Sequence, residues 1–192
     1  MSWPAALLSS VVLMSCSAAQ GAAQNAPADE LRIFKAWLDR VRPGYACDEG
    51  PARFRNPAVD AAYGGRHFYY VLTHTRGMRP RLPNELSLVA RVDANGNVTP
   101  LDPSSPATYR PGLRKVATAR DARQAGAAVL ILAMGDPGGG LQKLDDSLCT
   151  ITKERKGWVC TYGGRDARYT SRVTFDAHGV LSAISVNLPP VP

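Results

Sequence analysis

Two Asp-Ala-x-Gly tetrapeptides, Asp93-Ala94-Asn95-Gly96 and Asp176-Ala177-His178-Gly179, stand 83 residues apart. The same offset carries Leu86, Leu88, Ala90 and Val92 onto Tyr169, Ser171, Val173 and Phe175. One turn tetrapeptide can recur by chance. A turn that keeps the phase of the strand before it constrains far more, because a one-residue slip sends every side chain to the other face of a sheet. The offset predicts two related helix-plus-hairpin units, with each glycine supplying the positive φ of a tight turn.

The elements around the turns follow the same order twice. Residues 28–42 read as a helix, with Leu31, Phe34, Trp37, Leu38 and Val41 on one stripe and Pro43-Gly44 as the stop. After a loop that holds Cys47, His67 to Thr75 alternates with Phe68, Tyr70 and Leu72 on one face, and the Leu86 to Asp93 strand runs into the first turn. The second half begins with Thr118-Ala119-Arg120-Asp121, which resembles a capping box, and an apolar body to Met134. Val129 and Ile131 leave open a buried strand for the end of that segment. Strands at Trp158 to Tyr162, Tyr169 to Asp176 and Val180 to Leu188 complete the pattern. The fold class expected is α+β, helices packed on antiparallel sheet, with units at 28–112 and 113–192.

The N-terminus is read as address rather than fold. Ala5 to Met14 is uncharged and too short to span a bilayer, and it fits the apolar region of a secretory signal. Leu13-Met14-Ser15-Cys16 resembles a lipobox. That reading makes 1–16 the signal, Cys16 the lipidated residue and 17–27 a flexible tether, and places the protein at the periplasmic face of the outer membrane. Ser17-Ala18-Ala19 and Gly21-Ala22-Ala23 would equally serve as small-residue cleavage sites, which keeps soluble periplasmic or secreted export open.

The net charge of +7 rests on 18 Arg and 5 Lys. The densest basic segment, Arg76 to Arg123, holds Arg76, Arg79, Arg81, Arg91, Arg110, Arg114, Lys115, Arg120 and Arg123. Basic charge of this kind keeps a protein soluble, and arginine also contacts phosphate or carboxylate in bidentate fashion. An exported protein does not ordinarily meet DNA, so the anionic partners expected are lipid headgroups or envelope polymers and not nucleic acid. Cys149 and Cys160 flank a strand, a polar turn and a strand. A two-residue loop at Glu154-Arg155 would set them directly opposite, within the ~4.5 to 5.5 Å between Cβ atoms that a disulfide can bridge.

The run Ala127 to Pro137, then Trp158-Val159-Cys160-Thr161-Tyr162, then Arg172-Val173-Thr174-Phe175-Asp176-Ala177-His178-Gly179-Val180-Leu181, resembles the SmpA/OmlA (BamE-like) lipoprotein domain. That family has a lipobox and helices laid on a small antiparallel sheet. A similar architecture occurs, duplicated, in secreted β-lactamase-inhibitor proteins. The resemblance implies a non-enzymatic periplasmic lipoprotein that binds envelope proteins or assists outer-membrane assembly.

Chemistry-bearing motifs are sparse. There is no His-Glu-x-x-His, Gly-x-Ser-x-Gly or Cys-x-x-Cys. His67 and His74 face opposite sides of one regular strand, so no metal site and no cofactor is expected. If helices cover only one sheet face, His67, Tyr69 and Arg172 lie on the open one, and with Arg76, Arg79 and Arg81 they form the expected binding surface. The leading expectation is a non-enzymatic envelope lipoprotein that binds envelope protein or anionic lipid. The second is a secreted inhibitor-like module using the loops Pro80 to Glu85 and Gly138 to Asp146, and the third is a hydrolase using His67 or His74 with Asp93.

Overall fold

The computed structural model describes residues 17–43, 45–75, 87–135, 149–163 and 170–187. In chain order it contains α1 (Ser17–Val41), β1 (Tyr45–Phe54), α2 (Pro57–Tyr63), β2 (Phe68–Thr75), β3 (Ser87–Val92), β4 (Val98–Pro100), a 3-10 turn (Pro106–Thr108), α3 (Ala119–Met134), β5 (Cys149–Glu154), β6 (Gly157–Tyr162), β7 (Ser171–Asp176) and β8 (Leu181–Ser185). The strands form two antiparallel four-stranded meanders, β1-β2-β3-β4 and β5-β6-β7-β8. This is the α+β class expected. No helix among the described residues is long and apolar enough to cross a membrane.

The helix of each unit covers the same face of its own sheet. Phe34 and Leu38 of α1 pack with Tyr69, Val71, Ala90 and Val92, and Val98 borders that cluster. Adding 83 to Ala90, Val92 and Val98 gives Val173, Phe175 and Leu181, which pack with α3 in the larger core. The two Asp turns are built alike. Asp93 Oδ1 accepts from the backbone N–H of Asn95 and Asn97, each at 2.9 Å. Asp176 Oδ1 accepts from those of His178 and Val180 at 2.8 and 2.9 Å. Gly96 and Gly179 sit at φ 79° and 74°, and each donates to the carbonyl of its own Asp at 2.9 Å.

The units differ in what covers the second face. The back of the first sheet, with Phe54, Phe68, Tyr70 and Val89, shares one core with α2, α3 and the front of the second sheet. Helix α3 is therefore held between two sheets, and it buries Ala122, Ala125, Gly126, Ala128, Val129, Leu130, Ile131, Leu132 and Met134. A helix that is apolar on nearly every side is the form expected at such a centre, and burial there overrides the strand preference of Val129 and Ile131. Thr118 and Asp121 close the capping box: Asp121 N–H donates to Thr118 Oγ1 at 3.2 Å, and Thr118 N–H donates to Asp121 Oδ2 at 2.8 Å. The back of the second sheet carries the cross-strand row Thr150, Thr161, Arg172 and Ser185. It is a polar surface, of the kind that ends a stack of units in solvent.

Several local expectations change. Cys47 lies in β1, paired with Thr73, and not in a loop. The alternation there is broken by register shifts between Cys47 and Ala52, and Gly50 (φ 85°) brings its backbone so close to β2 that a Cβ would stand 2.7 Å from the Tyr70 carbonyl oxygen. Bulges and proline are tolerated on such an edge strand. The Glu154–Gly157 pair puts Arg155-Lys156, not Glu154-Arg155, at the β5–β6 turn. Cys149 therefore faces Tyr162 while Cys160 faces Ile151. The cysteines are diagonal neighbours rather than directly opposite, which corrects the register expected of them.

Candidate anion-binding groove

The segment that joins the two units supplies one side of the site. After β4 the chain passes Tyr109, which is buried, and turns at Pro111-Gly112, where Leu113 N–H donates to the Arg110 carbonyl at 3.0 Å. Arg114 N–H then bonds the Ala62 carbonyl at 3.1 Å, and Val116 N–H bonds the Gly179 carbonyl at 3.1 Å. These bonds fix the segment against both units. The β7–β8 turn supplies the other side. Gly179 is required there twice over: its φ is positive, and a side chain would collide with the Val116 carbonyl.

Between the two lies a groove of about 260 Å³ lined by Arg110, Leu113, Arg114, Lys115, Gly179, Val180 and Leu181. Its floor is aliphatic, and Val180 is an unusually exposed apolar side chain at 39 %. Its rim is cationic. Arg110 donates Nε–H to the Leu181 carbonyl at 2.8 Å, which orients the guanidinium. Among the described residues none of Arg110, Arg114 and Lys115 forms an ion pair. The nearby carboxylate, Asp176, is committed to its own turn. The Val180 and His178 N–H groups hold it below its ordinary range, with His178 and Arg110 adding to the effect. An aliphatic floor under three cations, of which Arg110 alone feels the nearby Asp176 charge and none forms an ion pair among the described residues, is suited to an anion that carries an apolar group.

The residues singled out from sequence are distributed differently. Tyr69 is not on an open face: α1 covers it to zero exposure. Its hydroxyl donates to Glu30 Oε2 at 2.7 Å, and His67 Nδ1 lies 2.9 Å from the same oxygen. Burial first, and then the Glu30 hydrogen bond, push the Tyr69 hydroxyl pKa upward. His67 and Tyr69 thus anchor α1 to the first sheet, and the expected open surface is corrected to a helix-covered one. His67 also engages Glu30 rather than Asp93, whose carboxylate is taken by Asn95 and Asn97. Arg172 is exposed on the back of the second sheet, away from both. Arg76, Arg79, Arg81 and Cys16 lie outside the described residues, as do the loops Pro80 to Glu85 and Gly138 to Asp146. Among the described residues no three His, Cys, Asp or Glu side chains gather as a metal site would require.

In the sequence Arg110, Arg114 and Lys115 stand out only as members of a long basic segment. The groove depends on their meeting Val180 across the join between units, and only the Asp-turn offset pointed to that hairpin as ordered. The chain matches no protein-family model, no curated protein and no solved structure.

Proposed function

We propose that the protein is a non-enzymatic lipoprotein of the cell envelope, exported and anchored through Cys16, that binds envelope proteins or anionic lipid headgroups. The observation that carries this reading is the cationic groove: Arg110, Arg114 and Lys115 surround an aliphatic floor with no ion-pair partner among the described residues. Like charges held together cost Coulomb energy that an incoming anion relieves. The lipobox-like Leu13-Met14-Ser15-Cys16 and the two helix-on-sheet units agree with what the SmpA/OmlA resemblance implies.

The reading is tested by in-cell crosslinking of the full chain, together with flotation of the purified protein on vesicles. Reproducible crosslinks to an envelope protein, or flotation with vesicles containing an anionic phospholipid but not with purely zwitterionic ones, are expected. A protein that crosslinks only to itself and floats with neither vesicle type contradicts the reading.

A further inference from the structure

We infer that the groove captures the free C-terminal carboxylate of a partner polypeptide whose last residue is apolar. This rests on the binding-protein reading above and names its ligand. Four properties of the groove favour that chemistry. The rim is anionophilic and suited to a planar anion, since the Nε–H of Arg110 is held on the Leu181 carbonyl while its terminal nitrogens have no bond among the described residues. A guanidinium fixed in this way presents two parallel N–H groups to a carboxylate.

The floor of Leu113, Val180 and Leu181 calls for an aliphatic group attached to that anion. Inorganic phosphate would leave it unused. The volume, about 260 Å³, lies below the ~300 to 1,000 Å³ of sites that enclose a drug-sized molecule, and it suits one terminal residue rather than a glycerol with two acyl chains. The walls are set before any ligand arrives, because the Val116–Gly179 hydrogen bond and the side-chain-free Gly179 lock the two segments together. Preorganisation of this kind lowers the entropic cost of capturing a short, flexible chain end.

The test measures fluorescence anisotropy of a hexapeptide ending in Leu, labelled at its N-terminus, as the free acid and as the C-terminal amide, with the full-length mature protein. We expect the amide to bind at least about tenfold more weakly, because charge-assisted hydrogen bonds to the carboxylate are lost. The double variant Arg114→Ala/Lys115→Ala and the variant Val180→Asp are expected to lose binding of the free acid by a similar factor, with circular dichroism matching wild type. Arg155→Ala/Lys156→Ala, in the β5–β6 turn, should leave it unchanged.

Equal affinity for acid and amide, or binding that survives the groove variants, overturns the inference. Flotation on anionic vesicles with no peptide binding overturns it too, but leaves the broader reading standing. Absence of peptide binding, vesicle flotation and envelope crosslinks together removes both.

Discussion

Cys160 lies directly beneath Gly126: a Cβ at position 126 would stand 3.0 Å from the Cys160 Sγ. The same atom would lie 2.7 Å from the Tyr162 hydroxyl. Tyr162 cannot yield freely, because its hydroxyl donates to the Arg123 carbonyl at 3.0 Å, and Cys160 Sγ contacts the Ala122 carbonyl at 3.1 Å. Glycine in a helix interior costs about 1 kcal/mol relative to alanine. Here it is retained for close approach between α3 and the second sheet. Gly126→Ala should therefore be net destabilising by about 1 to 2 kcal/mol despite the gain in helix propensity, as overpacking of a tight core is. Equilibrium urea unfolding reads this directly, and a stabilised variant would mean that the contact is looser than described.

The same pair of strands determines the thiol chemistry. Burial pushes the Cys160 thiol up to about 12, so it is protonated at neutral pH and a poor nucleophile. Folded protein at pH 8 should resist alkylation at Cys160, whereas protein unfolded without reductant should be alkylated at both Cys149 and Cys160. Intact mass distinguishes this from a disulfide, which would block both sites until reduced. The sign with pH follows from linkage. The unfolded thiol ionises near 9 and the folded one near 12, so this contribution to stability is full below about pH 9 and falls from there to about pH 12.

Acid should act through the two repeated turns. Backbone and side-chain hydrogen bonds, from Asn97 to Asp93 and from Val180 and His178 to Asp176, lower both carboxyl pKa values. Groups whose folded pKa is depressed contribute stability that is present above the unfolded value of 3.8 and lost as pH falls through the lower folded value. Asp93→Ala and Asp176→Ala should each lower the thermal midpoint at pH 7 and flatten its dependence on pH below about 4. Because the two turns are built alike, the variants should behave alike. A large effect from one and none from the other would contradict the shared role.

Glu30 joins α1 to the first sheet by accepting from the buried Tyr69 hydroxyl and contacting His67. Glu30→Ala removes that hydrogen bond under the helix, at a cost of about 1.5 to 3 kcal/mol for a hydrogen bond to a charged group. Removing both partners is gentler, so Glu30→Ala combined with Tyr69→Phe should recover part of the loss. A double-mutant cycle with no coupling would show that the bond does not hold α1 in place.

What the sequence disclosed follows from how locally each feature is written. The stripe of Leu31, Phe34 and Leu38, the capping box at Thr118 and the alternation around Ala90 and Val173 are short-range patterns, and they locate α3, β3, β7 and the second half of α1, whose start at Ser17 falls inside the segment expected to be a tether. Helix α2 was missed, although Asn56-Pro57 and Gly64 mark its two ends. The covering of Tyr69 was illegible for a different reason. A helix on each face makes Phe68, Tyr69, Tyr70 and Val71 all buried, and such a strand loses the alternation that reveals an inward side. The groove was invisible because Arg114 and Val180 meet only through the Val116–Gly179 contact between units.

The most direct test of the envelope-lipoprotein account is the intact mass of the protein made in a Gram-negative host, after separation of membrane from soluble periplasm. The account predicts a membrane-bound species that begins at Cys16 and carries added acyl mass. A soluble species cleaved after Ala19 or Ala23, lacking Cys16 altogether, would contradict the anchor and leave the groove as the site of a freely diffusing binding protein.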